Sequence, residues 1–461
     1  MSVKTLHPDY QLYSPKWRLV RDAVEGESAI KRVPERYLPE FTPKDPERYS
    51  RYVQRAYYLG VTGRTRAALS GMVFRKDPAH ELPEEVDYLR ENADGAGTSL
   101  EHIAKEALGG VMDTGRHIIF IDYPSIDDSI DFETEQNIGA RPLVLSYAAE
   151  ALINWKYELI NGRRVLTLAV LVELVQDETQ ADEFGHDLVK NYRVLRLRDG
   201  VYTQQVYDDG GQAKGEEFTP RMAGGAAFDH IPLYIAGSEN NLPDIDDAPL
   251  YDLAVLNVAH YRNNADLEEA GFICGQPTLH LNIGDTPAEV FAEQNPNGVQ
   301  LGSRTGIVTQ GGSVELVQPE ERNLLVQLKE RKEQEMVGIG ARLIQRGGPS
   351  ETAEAARINA SAESSTLDQI VNNLSRALTA ALMDAARFEG VQVVDEIYYE
   401  LNTDFWQDDL DAQKLMALIQ LGDVGVISRS IQRDSIRKGR LHIPEEMSDE
   451  DIDAENASSP L

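Results

Sequence analysis

Cysteine occurs once, at Cys274, in 461 residues. A single thiol excludes intrachain disulfides and any metal site built on several cysteines. No run of about 18 apolar residues occurs, the length a membrane-crossing helix needs. Residues 1–10 also lack the apolar core of a secretory signal. The expectation is a soluble protein made in the cytosol, with no membrane partner. Positive charge is scarce as well: 45 Lys and Arg face 77 Asp and Glu, for a net charge of −32. Residues 1–76 reverse the balance with 15 Lys and Arg against 8 Asp and Glu, which leaves 30 against 69 for the remainder. From Pro444 onward there are seven acids and no Lys or Arg. Such a chain does not cling to nucleic acid in general, because phosphate binding runs on Lys and Arg. An acidic surface can still surround DNA without gripping it.

Catalytic signatures are missing too. There is no G-x-x-x-x-G-K-[ST] phosphate loop, so ATP chemistry would belong to a separate protein. Neither H-E-x-x-H nor G-x-S-x-G appears, and no enzyme activity or cofactor is expected. His80, His102, His117, His186, His230 and His260 are scattered without ligand spacing, which assigns them core or surface roles. Asp449, Asp451 and Asp453 imitate the start of a calcium loop. Ala454 stands where that loop needs glycine and Pro460 where it needs glutamate, so the stretch reads as a solvated tail.

What is present is ample apolar material, 41% of residues, enough for two to four domains or subdomains. Ser14-Pro15 opens a predicted helix carrying Trp17, Val20 and Val24, stopped by Gly26. Asp45-Pro46 opens a second. Thr98 with Glu101 makes a capping box for a third, through Leu100, Ile103, Ala107 and Val111. A buried strand over residues 117–121 follows. From Arg141 to Ile235 the pattern turns to strands. Asn161-Gly162 and Asp199-Gly200 each sit between two such runs, a type I′ hairpin signal. The first half is therefore α+β, with an antiparallel meander rather than βαβ units.

The second half is organised differently. Residues 250–271 read as an amphipathic helix through Leu253, Leu256, Ala259 and Leu267. A glycine-punctuated module follows, with strands near 278–283 and 306–317. A returning helix over 319–343 then carries Leu324, Leu325 and Leu328, resumed by Met336, Ile339 and Leu343. Gln345-Arg346-Gly347-Gly348-Pro349-Ser350 breaks the chain, since proline forbids continuation of the helix before it. Ser350 then caps a predicted rod reaching Phe388, about 57 Å long at 1.5 Å per residue. A strand over 392–401 and helices over 409–421 and 428–438 complete the reading. The first and last helices of the 250–343 stretch must run side by side to hold the module between them.

Particular residues carry a resemblance. His7-Pro8-Asp9-Tyr10, Trp17 and Arg21-Asp22-Ala23-Val24-Glu25-Gly26 resemble the opening of portal proteins of tailed bacteriophages, of a siphovirus-type branch. Tyr37-Leu38-Pro39, Arg55-Ala56, Gly71-Met72-Val73-Phe74-Arg75 and Asp122-Tyr123-Pro124 are similar to the same branch. So are Asp252-Leu253-Ala254, His260-Tyr261-Arg262 and Glu351-Thr352-Ala353-Glu354-Ala355-Ala356-Arg357. The resemblance implies a phage portal fold and a ring, usually of twelve subunits, at one capsid vertex. It assigns a wing to 1–249, two stem helices to 250–271 and 319–343, and a small α/β clip to 272–318. It further assigns a tunnel loop to 344–350, a long wing helix and strand to 351–404, and a crown with an acidic tail to 405–461.

By the same resemblance Gln345, Arg346, Gly347, Gly348 and Pro349 project toward DNA. Lys329, Arg331 and Lys332 are candidates for brief phosphate contacts; the ordinary alternative is a solvated helix with intrahelical Glu/Lys pairs. Implied partners are further copies of the chain, non-specifically held double-stranded DNA, the terminase large subunit, major capsid and scaffold proteins, and a head-completion adaptor. The implied location is the virion, after assembly in the host cytoplasm. Two rivals stand beside this reading. One is another capsid or head-tail connector protein. The other is a DNA-binding regulator whose helix-turn-helix would place Arg429, Arg433, Arg437 and Lys438 on its second helix.

Overall fold

A computed structural model of the chain describes residues 2–39, 45–123, 141–177, 184–222, 225–274, 278–282, 287–294, 313–317, 323–343, 365–392 and 394–405. It divides into two units, residues 1–74 with 78–401 and residues 75–77 with 402–461. In the second, Lys76 Nζ meets the Asp404 carboxylate at 2.8 Å. The expected helices at 409–421 and 428–438, and with them the helix-turn-helix and the calcium-like tail, lie outside the described residues. Among the described residues no helix is long and apolar enough to cross a membrane.

The first unit opens with helices α1 (Pro8–Glu25), α2 (Glu27–Arg32), α3 (Pro34–Tyr37), α4 (Pro46–Arg55) and α5 (Val61–Val73). The opening helix begins earlier than Ser14-Pro15 suggests. His7 caps it by accepting the Asp9 N–H on Nδ1 at 3.2 Å, Pro8 occupies the first turn, and the helix runs on through Pro15. Burying Trp17, Val20 and Ala23 outweighs the backbone bond that an internal proline removes. Strand β1 (Ala79–Glu81) precedes α6 (Leu100–Thr114). The cap of α6 is Ser99, not Thr98: the Ser99 hydroxyl accepts the His102 N–H at 3.2 Å. Thr98 is held in the preceding loop, where its N–H donates to the Asp94 carboxylate at 3.0 Å.

Seven strands then form most of two sheets. They are β2 (Arg116–Asp122), β3 (Leu143–Ala148), β4 (Leu152–Ile160), β5 (Arg163–Gln176), β6 (Leu188–Arg198), β7 (Val201–Tyr207) and β8 (Ala213–Phe218). With β9 (Leu233–Gly237) they give a three-stranded sheet ordered β3-β2-β9 and a five-stranded meander β4 to β8. Both predicted hairpins are there. Asn161 and Gly162 adopt φ of 51° and 78°, and Asp199 and Gly200 of 51° and 77°, the left-handed pair a type I′ turn demands. Residues Arg116 to Ile121 of β2 are buried without alternation, as a central strand covered on both faces requires.

The chain continues through α7 (Tyr251–Cys274), β10 (Thr278–Asn282), α8 (Ala288–Gln294), β11 (Ser313–Val317), α9 (Asn323–Arg342), α10 (Thr366–Phe388) and β12 (Tyr398–Glu400). Two expectations fail here. The rod from 351 to 388 is not one helix. Ser365 adopts extended φ/ψ of −62°/157° and starts α10 with a capping box, its hydroxyl taking the Asp368 N–H while Asp368 takes the Ser365 N–H. At 23 residues, α10 spans about 35 Å at 1.5 Å per residue. The expected strand over 392–401 shrinks to Tyr398–Glu400, paired antiparallel with β1, because turns at 387–391 and 394–397 use the intervening backbone.

α10 packs on β2, β3, β9 and α6, burying Leu367, Ile370, Val371, Leu374, Leu378, Leu382 and Phe388. Asp384 in this helix is fully buried and accepts from His230 Nε2 at 2.7 Å, from Arg387 Nη1 at 2.8 Å and from the Tyr234 hydroxyl. Burial pushes the His230 imidazole down. Hydrogen bonds and charge from Asp384 and Asp229 outweigh that and hold it at about 9. A raised folded pKa stabilises fully below the unfolded value near 6.5, and the contribution is lost as pH climbs to about 9. Unfolding free energy measured from pH 6 to 10 should fall across that window, and His230→Gln should flatten the fall.

Candidate functional site

The site is the helix pair α7 and α9 with what lies at its two ends. The two helices pack against each other and are joined through β10 and β11, which pair antiparallel from Thr278↔Val317 to Asn282↔Ser313. The pair is therefore a helical hairpin prolonged by a strand hairpin, with α8 between the strands. The sequence periodicity places both helices but assigns no residues to α8, and β11 (Ser313–Val317) falls within the strand expected over 306–317. Residues 306–312 lie outside the described residues.

Why α7 stands where it does follows from its polar residues more than its apolar ones. Leu253, Ala254, Val258, Tyr261 and Ala265 are buried, whereas the predicted Leu256, Ala259 and Leu267 are only half-buried. Asn257 is fully buried. Its Oδ1 accepts from Tyr58 OH at 3.0 Å, Thr62 N–H at 3.2 Å and Thr62 Oγ1 at 3.0 Å, and its Nδ2 donates to Leu59 O at 2.8 Å. Asn264 Nδ2 donates to Tyr57 O at 2.9 Å and Arg262 Nε to Tyr37 O at 2.7 Å. Tyr52 OH donates to Asp266 at 2.6 Å, while Arg55 pairs closely with Glu269. Burial, reinforced by Asp266, pushes the Tyr52 phenol far up. One side of α7 is thus bolted to the backbone carbonyls of Tyr37, Tyr57 and Leu59 by side-chain donors.

The other side faces α9. There Met336 is buried, and residues 325, 328, 329, 332, 333, 339 and 340 are half-buried, the i, i+3, i+4 stripe of a packed helix. Lys332 Nζ donates to Ala259 O at 3.1 Å, and His260 Nε2 meets Glu333 at 3.1 Å. Burial lowers the Lys332 ammonium. Burial also pushes His260 down, aided by Lys329 and Lys332 against the opposing pull of Glu333.

The three candidate stem cations therefore separate. Lys332 crosses to α7. Lys329 and Arg331 form i,i+4 pairs, Lys329 with Glu333 at 3.8 Å and Arg331 with Glu335 at 2.8 Å, as an ordinary helix surface does. Arg331 is 75% exposed, so Arg331→Ala should change stability by less than about 0.5 kcal/mol. Lys332→Ala removes a charged donor from a packed carbonyl and should cost about 1–2 kcal/mol. Urea titrations of the two variants against wild type check the contrast.

At the base of the pair, Leu367 N–H donates to Leu343 O at 3.3 Å. The end of α9 and the first turn of α10 thereby satisfy each other's unpaired backbone groups. The chain that leaves at Leu343 has returned to the same point by Ser365. Gln345, Arg346, Gly347, Gly348 and Pro349 belong to this excursion and lie outside the described residues. No residue pattern announces the return; the capping box Ser365-Thr366-Leu367-Asp368 is the signal that could have.

The pair leaves Val255, Phe272, Leu324 and Val337 exposed, at 41%, 43%, 63% and 72%. Among them α9 presents Gln327, Glu330, Arg331, Gln334 and Glu335, charges of both signs rather than a basic track.

Residues 249–389 match the model of a family described as Domain of unknown function (DUF4055), a span that takes in α7, the strand pair, α9 and α10. Curated proteins yield no match. Among solved structures the chain is similar to one in the neck of an empty GTA particle determined with C6 symmetry, at 13% identity, 85% of this chain, 93% of that chain and a TM-score of 0.41. It is similar to one in the neck of a native GTA particle determined with C12 symmetry, at 13% identity over the same shares and a TM-score of 0.40. It is also similar to an HK97 family phage portal protein from Corynebacterium diphtheriae, at 11% identity, 74% of this chain, 90% of that chain and a TM-score of 0.30.

Proposed function

We propose that the protein is a phage portal: a ring of copies, twelve in number, at one capsid vertex, through which double-stranded DNA is packaged and later ejected. The observation that carries the reading is the α7–α9 hairpin, with a small strand–helix–strand module at one end and a closed excursion at the other. A wall around a channel requires such a part. Each copy contributes two parallel-standing helices as a stave, one end for docking and one loop directed at the bore.

The apolar side chains exposed along the hairpin suit burial against a neighbouring copy. An obligate assembly of this kind buries more than about 2,000 Å² per interface. Mixed charge on the outer stripe of α9 keeps phosphate contacts brief, since each Lys or Arg firmly seated on a phosphate would resist translocation. The work is geometric and electrostatic rather than catalytic, and the motor that hydrolyses ATP is a separate terminase large subunit. The strand–helix–strand module docks that motor and afterwards a head-completion adaptor. The outer surface meets major capsid and scaffold proteins, and the finished ring resides in the virion.

Negative-stain class averages of the purified full chain test the reading. Rings with a central hole and about twelvefold symmetry support it. A monodisperse monomer at every concentration overturns it.

A further inference from the structure

Each helix of the α7–α9 pair carries a charge that its own copy leaves unmatched. On α9, Glu333 is taken by His260 and Lys329, and Glu335 by Arg331. Glu330 is exposed and has no ion pair among the described residues. On α7, Arg262 is exposed as well, and among the described residues no carboxylate pairs with it. Its Nε donates to Tyr37 O at 2.7 Å, which holds the guanidinium in place and leaves Nη1 and Nη2 for an acceptor. Beside these charges stand two exposed valines, Val255 on α7 and Val337 on α9. Val255 precedes Arg262 by seven residues and Glu330 precedes Val337 by seven, so each couple shares one face of its helix.

Two bonds fix how the helices stand against each other. Lys332 Nζ donates to Ala259 O, and His260 Nε2 meets Glu333, each at 3.1 Å. The helices are antiparallel, so a step forward on one is level with a step back on the other. Counting the same number of residues away from that crossing brings Val255 level with Val337, and Arg262 level with Glu330. At about 100° per residue both couples are turned away from the seam at His260 and Met336, and in an antiparallel hairpin they come out on opposite flanks. A cyclic ring relates neighbours by rotation without a rise. In a ring whose staves stand along the bore, residues level within one copy are therefore level between copies. Valine then meets valine, and the guanidinium meets the carboxylate.

We propose that α7 of one copy packs against α9 of the next, with Val255 on the partner's Val337 and Arg262 paired to the partner's Glu330. The inference rests on the proposed ring and names the contact that closes it. Different faces meet, so the contact is head-to-tail, the kind that generates a ring rather than an isolated pair. Chains of net charge −32 repel one another. That repulsion is screened beyond about 8 Å at physiological salt, so the groups that touch decide the contact. A planar guanidinium held at Nε can seat a carboxylate on its two remaining nitrogens.

The test uses full-length protein with Cys274→Ser, so that introduced thiols are alone. Chains carrying Val255→Cys, Val337→Cys or both are assembled and treated with a short bismaleimide. The double variant should give a ladder of covalent multimers on a denaturing gel, and each single variant should stay monomeric. Independently, Glu330→Arg should raise the concentration needed for assembly by about tenfold or more, the worth of a charge-assisted hydrogen bond. Adding Arg262→Glu should recover most of that loss. Should Arg262→Glu unfold the chain, the cross-link alone decides. Rings in which the double variant links only within one copy, or not at all, overturn the proposal and leave the ring reading intact. So does a ladder from either single variant, or a charge exchange that folds and recovers nothing. Failure of the unaltered chain to form rings overturns both.

Discussion

Replacing Asn257 with leucine is expected to lower the unfolding free energy by about 3–4 kcal/mol, the largest loss for a single side chain in the helix pair. Leucine matches the volume closely, so cavity formation contributes little. The cost comes from the groups left behind. Thr62 N–H and Thr62 Oγ1–H each lose their hydrogen bond at a fully buried residue, whereas Leu59 C=O keeps the Val61 N–H at 2.7 Å. Each stranded buried group costs about 1–3 kcal/mol. Tyr58 OH keeps Ala23 O at 3.1 Å and loses less. Asn257→Asp preserves the acceptor but places a charge at a fully buried site, and should be at least as damaging. Urea denaturation followed by circular dichroism checks both variants. A shift in midpoint with unchanged slope marks a loss of stability rather than a change in the denatured state. If Asn257→Leu melts like wild type, α7 is held by its apolar contacts alone. The account of the pair as bolted through carbonyls would then be wrong.

That hub shows where sequence stops informing. The two hairpins are legible because Asn161-Gly162 and Asp199-Gly200 ask for left-handed φ at adjacent positions, a local demand few other sequences meet. β2 is legible because an unbroken apolar run ends at Asp122-Tyr123-Pro124. The helix pair is legible because two apolar periodicities flank a glycine-rich module. The role of Asn257 is not, since its partners at 58, 59 and 62 lie about two hundred residues away and two of its bonds engage backbone, which carries no residue identity. For the same reason the apolar stripe predicted on α7 is rotated: Leu256 and Ala259 yield the most buried positions to Asn257, Val258 and Tyr261. Pro15 misleads in the opposite direction, since a proline that looks like a helix start sits inside a helix already begun at His7-Pro8. Ser365 misleads by being quiet. A third serine after Ser361 and Ser364 in an alanine-rich run reads as helix unless its reciprocal bond with Asp368 is anticipated.

Substituting residues 345–363 by a short Gly-Ser linker is expected to leave the fold nearly untouched and to abolish DNA packaging. The structural half follows from the bond between Leu367 N–H and Leu343 O, which places both ends of the excursion at one point. Shortening the connection between the same two points changes closure entropy by about 1 kcal/mol, in the stabilising direction. A continuous rod over 351–388 predicts otherwise: its loss would remove several turns of helix and lower the melting temperature. Thermal unfolding of the variant therefore decides between a returning excursion and a rod. The functional half follows from the proposed portal, in which Arg346, Gly347, Gly348 and Pro349 reach the duplex. Rings should still form, because the exposed apolar side chains of the α7–α9 hairpin are unchanged. DNA protected from nuclease inside particles built with the variant should fall to that of particles built without the protein. Rings that package normally would show that translocation is controlled by the hairpin walls. Arg331 and its neighbours on α9, rather than residues 345–349, would then be the groups to change next.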